Sequence, residues 1–178
     1  MIAHRVRSLM TGLSALLGGA LAHAQSLPQV PDALKAPAGE RVVLIAHASG
    51  SQIYVCAAGT DGKPQWTLKG PEASLRDDQG SLIGHHAAGP SWKLTDGSSV
   101  TGKMLAKAPS PDSASVPWLL LSVVSHDGKG RLEHVTTVQR LQTKGGQAPP
   151  PAKCTAAKPD AETWIPYTAD YYFYAPAP

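Results

Sequence analysis

Apolar positions in this chain fall in short runs that alternate with polar ones, and Gly or Pro ends nearly every run. Over residues 91–95, Trp92 and Leu94 share one phase of a period of two, with Ser91, Lys93 and Thr95 on the other. Over residues 99–105, Val100, Gly102 and Met104 oppose Ser99, Thr101 and Lys103. Over residues 167–174, Tyr167, Ala169, Tyr171 and Phe173 oppose Thr168, Asp170, Tyr172 and Tyr174. Successive side chains of a strand point to opposite faces, so each segment predicts a strand with one buried face. Residues 116–124 are apolar in both phases: Trp118, Leu120 and Val124 in one, Leu119, Leu121 and Val123 in the other. Such a strand wants cover on both faces, which predicts a central position. Residues 131–142 alternate less regularly, as a strand carrying a bulge would. No window repeats apolar residues at intervals of three and four, so little helix is expected.

The reversals between these runs have their own chemistry. Asp-Gly occurs at Asp61-Gly62, Asp96-Gly97 and Asp127-Gly128, and this pair supplies the positive φ that tight hairpins need. Gln79-Gly80 and Ser49-Gly50 are further candidate reversals. Turns at this spacing predict an all-β fold, an antiparallel β-barrel or two-layer β-sandwich of about 8–10 short strands. Residues 25–40, with Pro28, Pro31 and Pro37, read as an extended lead-in, and residues 41–178 as a single β domain. Residues 144–159 hold Gly145-Gly146 and Pro149-Pro150-Pro151. Proline cannot donate to a ladder, so that stretch is expected to cross the surface before a last strand. W-x-L recurs at Trp66, Trp92 and Trp118 without recurring surroundings, a strand habit and not a repeat.

The first residues change the charge picture. His4, Arg5 and Arg7 precede an apolar run from Leu9 to Leu21, and Ala22-His23-Ala24 has the small-x-small form that a signal peptidase reads. Residues 1–24 are therefore expected to be a cleaved signal peptide, which places the protein in the periplasm or outside the cell. No later apolar stretch is long enough to span a bilayer as a helix. With Arg5 and Arg7 removed, the net charge drops from +3 to near +1. No cluster of Lys and Arg interleaved with aromatics remains, so neither nucleic acid nor a polybasic membrane contact is expected. The only cysteines are Cys56 and Cys154. In an oxidising compartment an even count points to a disulfide; a metal pair or two free thiols is the rival reading.

The ordered motifs of the mature chain are specific. They begin with Gln52-Ile53-Tyr54-x-Cys56, then Trp66 with Pro71-x-Ala73-x-Leu75. Gly84-His85-His86-x-x-Gly89-Pro90-x-Trp92 follows, running into Asp96-Gly97-Ser98. Next come Trp118-Leu119-Leu120, Val138-Gln139-Arg140 and Thr143-x-Gly145-Gly146, then Pro149, Cys154 and the aromatic run 167–174. From about Arg41 to Tyr174 the chain resembles the DUF3455 family of secreted proteins of unknown function. The resemblance implies export and one domain, and it carries no catalytic residues or activity. No G-x-G-x-x-G follows a strand and no βαβ alternation is present, so a dinucleotide site is not expected.

Residues 84–98 are the best candidate for a site, because His85, His86, Trp92 and Asp96 lie close together near turns. Adjacent His85 and His86 face opposite sides of a strand, so one of them at most can join a pocket. His86 could act as a base or ligand with Asp96 as its partner; the plainer reading makes His86 a bonded core histidine and Asp96 a turn residue. His47, His126, His134, Asp77, Asp78 and Glu133 are available ligands, but no H-x-H or H-E-x-x-H occurs, so no metal and no cofactor is expected. No G-x-S-x-G elbow is present either. Tyr172 and Tyr174 share the polar phase with Asp170 and form a candidate exposed aromatic surface. These residues favour a non-enzymatic, exported binding or envelope-associated module for a small molecule or surface polymer. The alternative is an extracytoplasmic enzyme with a pocket around His86, Trp92 and Asp96.

Overall fold

A computed structural model describes residues 27–178; the leader-like segment at residues 1–24 lies outside the described residues. Eight antiparallel strands, each paired with its sequence neighbour, close into one barrel. They are β1 (Glu40–Ala58), β2 (Pro64–Arg76), β3 (Leu82–Ala87), β4 (Ser91–Leu94), β5 (Ser99–Ala108), β6 (Trp118–Asp127), β7 (Thr137–Gly145) and β8 (Glu162–Pro176). Closure is made by β1 and β8, paired from Glu40↔Pro176 to Val55↔Glu162. It decides for a barrel over two separate layers. No helix among the described residues is long and apolar enough to cross a membrane.

The alternation read from the sequence sets the inside of the barrel. Trp92, Leu94, Val100, Tyr167, Ala169, Tyr171 and Phe173 are buried together with Leu44, Leu75, Leu121 and Val138. Residues 118–121 are covered on both faces as expected, but not by two sheets, whereas Val124 is 58% exposed. Leu121 faces the interior, while Trp118 and Leu120 pack outside the barrel under Leu34. Leu34 belongs to a single 3-10 turn, Asp32–Leu34, within the lead-in. The Nε2 of Gln139 donates to the Leu34 carbonyl at 2.5 Å, and the Tyr174 hydroxyl donates to Gln139 Oε1 at 2.6 Å. The lead-in is thus held as a strap across β5, β6, β7 and β8.

That strap corrects one expectation. Tyr172 and Tyr174 do not form an exposed aromatic surface: they are 8% and 5% exposed and join the cluster under Leu34. Their phase faces out of the barrel, yet outward is not solvent there. Ser49-Gly50 is also no reversal. It lies inside the 19-residue β1, where a Cβ on Gly50 would stand 2.1 Å from the Glu72 carbonyl oxygen. Glycine at this position answers to the close approach of β2. Asp127-Gly128 ends β6 but opens a longer connection to Thr137 instead of a two-residue hairpin. Met104, expected on the inner face with Val100, is 52% exposed, because β4 pairs with β5 only as far as Thr101 and leaves Met104 without a neighbouring strand on that side. The bulge expected in residues 131–142 is present in β7, where Gln142 has φ 50° and the pairing with β8 shifts between Leu141 and Lys144.

The Pro-rich stretch crosses from β7 to β8 and carries Cys154, bonded to Cys56 of β1 with Cα atoms 5.3 Å apart. The Asp61-Gly62, Gln79-Gly80 and Asp96-Gly97 turns join β1–β2, β2–β3 and β4–β5.

Candidate functional site

Unequal strand lengths open one end of the barrel. β3 and β4 have six and four residues, while their neighbours β2 and β5 have 13 and 10. β2 pairs with β3 only over Glu72–Arg76, and β5 pairs with β4 only over Ser99–Lys93 to Thr101–Ser91. Above the short β3–β4 hairpin the edges of β2 and β5 have no neighbouring strand between them. A cavity of about 470 Å³ opens there, between Leu68 to Pro71 of β2 and Met104 and Lys107 of β5. Its inner wall is made by Gln52, Tyr54, His86, Leu119, Leu121 and Arg140.

His86 and Trp92 face each other across the β3–β4 hairpin. Both point inward, and their rings stack with centroids 4.7 Å apart and planes 9° off parallel. Tyr171 of β8 meets His86 edge-on at 4.8 Å. His86 is 2% exposed. Its Nδ1 lies 2.8 Å from the Ser91 carbonyl, which can only accept, so the proton sits on Nδ1 and the lone pair on Nε2. His85 is exposed on the opposite face, as the alternation requires.

Asp96 is not part of this constellation. It sits in the β4–β5 turn at the other end of the barrel, where its carboxylate accepts from Ser98 N at 2.9 Å, Ser98 Oγ at 2.6 Å and Arg131 N at 2.9 Å. Those hydrogen bonds hold its carboxyl below the usual range against the opposing effect of burial. The turn chemistry that explains Asp96 in the sequence is what it does in the fold.

Three polar residues at the cavity were not singled out from the sequence. Arg140 of β7 is 9% exposed, with Nε and Nη2 donating to the Pro117 carbonyl at 3.2 and 2.9 Å. Gln52 is 1% exposed and its Nε2 has no hydrogen-bond partner, a contact with the Tyr167 hydroxyl falling short of one. Tyr54 donates its hydroxyl to the Gly146 carbonyl at 2.8 Å. The signal for them was phase: Arg140 follows Val138 by two positions, so a residue that normally faces solvent shares the inner face. A separate polar cluster lies outside the barrel wall. His47 Nδ1 is 2.7 Å from Asp170 and its Nε2 2.9 Å from Asp78, tying β1 and β8 to the β2–β3 turn and raising the imidazole above its ordinary pKa.

Burial pushes the His86 imidazole down to about 4, with the Arg140 charge adding to it and the Ser91 carbonyl opposing. Between the ordinary value near 6.5 and about 4, the unfolded chain binds a proton that the native state refuses. His86 therefore contributes stability at neutral pH that is lost as pH falls through this window, by about 3 kcal/mol. His47 acts in the opposite sense, its contribution being complete below the ordinary pKa and lost as pH rises through the raised one. Urea unfolding at pH 7 and 4.5 should show His86→Gln losing most of the wild-type acid slope. Equal slopes would mean the imidazole takes up its proton in the folded state.

The profile of the family described as "Protein of unknown function (DUF3455)" matches residues 37–175, which takes in every strand of the barrel. No curated protein and no solved structure matches the chain. With that match running over most of its length, the chain belongs to the DUF3455 family.

Proposed function

We propose that the protein is an exported binding module whose barrel-mouth cavity takes a small molecule, or the end of a surface polymer. One observation carries this reading: a 470 Å³ recess lined largely by apolar residues that also presents Gln52, Tyr54, His86 and Arg140, with the Gln52 amide nitrogen unbonded. Ligand sites are built this way, an apolar surface for area and a few fixed polar groups for orientation. Export is supported by the leader-like first residues and by the disulfide, which persists in oxidising compartments. A thermal-shift screen of metabolites and short oligosaccharides on the oxidised, leader-free protein tests it. A compound at about 100 times its Kd should raise the midpoint by several degrees. A broad screen without a shift would end the reading.

The enzyme reading draws on His86, whose tautomer is fixed by Ser91 and whose Nε2 lone pair is unbonded among the described residues. In that case a shifting compound would be consumed, and His86→Gln would abolish turnover while leaving binding in place.

A further inference from the structure

The cavity has a charge imbalance. Arg140 places a guanidinium within the barrel wall, and no carboxylate stands within ion-pair distance of it among the described residues. The Pro117 carbonyl takes two of its five N–H groups, and the only other protein group it approaches as a donor is the neutral Tyr171 hydroxyl among the described residues. The hydroxyls of Tyr54 and Tyr171 nearby are neutral, burial holding both above their ordinary pKa. Gln52 adds a buried amide donor with no acceptor. Buried cations are normally paired, and a buried donor without an acceptor loses its hydration for nothing. Both side chains line the cavity, and neither has a negatively charged acceptor among the described residues.

Resting on the ligand-binding reading above, we infer that the cavity holds a small organic acid, its carboxylate bonded to Arg140 and Gln52 and its apolar body against Leu68, Met104 and Leu119. A carboxylate is acceptor-only, planar and two-oxygened, which suits a guanidinium edge with one further amide N–H. A phosphate would bring more oxygens and more charge than these donors match. Lys69 at the rim is already paired with Glu162, while Lys107 has no acidic partner among the described residues and can draw an anion toward the mouth.

The test compares matched probes on the oxidised protein by calorimetry: octanoate against 1-octanol and octylamine, and 3-phenylpropionate against 3-phenylpropanol. At least one acid should bind about 10- to 100-fold tighter than its alcohol, the range for a charge-assisted hydrogen bond, with the amine weakest. Arg140→Met should erase that preference while leaving alcohol binding within about threefold, and it should unfold at a higher temperature than the ligand-free wild type, because an uncompensated buried charge is gone. If Arg140→Met does not fold, the wild-type comparison still decides. Alcohols binding as tightly as the acids would overturn the acid while leaving the binding module standing. Acids and alcohols alike failing to bind would overturn both.

Discussion

Breaking the Cys56–Cys154 bond is expected to lower the free energy of unfolding by about 4–5 kcal/mol, the chain-entropy figure for a closed loop of this size, the two cysteines being 98 residues apart. The loss arises in the unfolded chain, because the folded crossing has other ties. Cys56 N–H donates to the Ala161 carbonyl and Asp160 N–H to the Cys56 carbonyl, both at 2.9 Å. With those bonds kept, the barrel should close as before and the cavity should hold its shape. Cys56 and Cys154 are 2% and 6% exposed, so Cys56→Ala/Cys154→Ala also leaves a small void, whereas reduction of the wild type does not. The two should agree to within about 1 kcal/mol, and both should show a larger urea m-value as the unfolded chain expands. A loss below about 1 kcal/mol in both would show that strand pairing between β1 and β8 already confines the unfolded ensemble.

How far the sequence exposed this architecture depended on whether the physical cause was local. The Asp61-Gly62 and Asp96-Gly97 turns and the alternation in residues 91–95 and 167–174 are local, and the structure has them. Gly50 misled because a glycine needed for close approach looks the same in sequence as one needed for a turn. Tyr172 and Tyr174 misled because their cover, Leu34, comes from the far end of the chain, and no pattern around Asp170 announces it. The site divides the same way. His86 and Trp92 were legible from the spacing of one hairpin. Arg140 was passed over because an arginine in a strand defaults to solvent, although its phase with Val138 put it inside. The mouth itself was invisible, since it follows from strands β3 and β4 being shorter than their neighbours.

Trp92→Ala is expected to cost about 3–5 kcal/mol, the usual range for deleting a buried aromatic that its neighbours cannot replace. The indole is 1% exposed, stacked on His86 at 4.7 Å and edge-on to Tyr171 and Phe173 at 5.4 and 5.9 Å. One feature pulls toward the low end: its Nε1 is buried with no partner, so removing the ring also removes an unsatisfied donor. Trp92→Phe should for that reason cost under about 2 kcal/mol, keeping an aromatic face and losing the donor. The space beside the ring supplies an internal check. A Cβ on Gly102 would stand 3.0 Å from Trp92 Cζ3, so Gly102→Ala should destabilise the wild type and be tolerated, or even favourable, once Trp92 is Ala. That reversal of sign is a coupling between touching residues, which additive effects cannot produce. The same ring forms the wall on which His86 lies, and its loss lets water reach the imidazole. The acid loss of stability between pH 6.5 and about 4 should then flatten in Trp92→Ala. Urea titrations of the single and double variants at pH 7 and 4.5 read all three effects. An unchanged acid slope, or an equal cost of Gly102→Ala in both backgrounds, would mean that the indole neither fills this space nor keeps His86 dry.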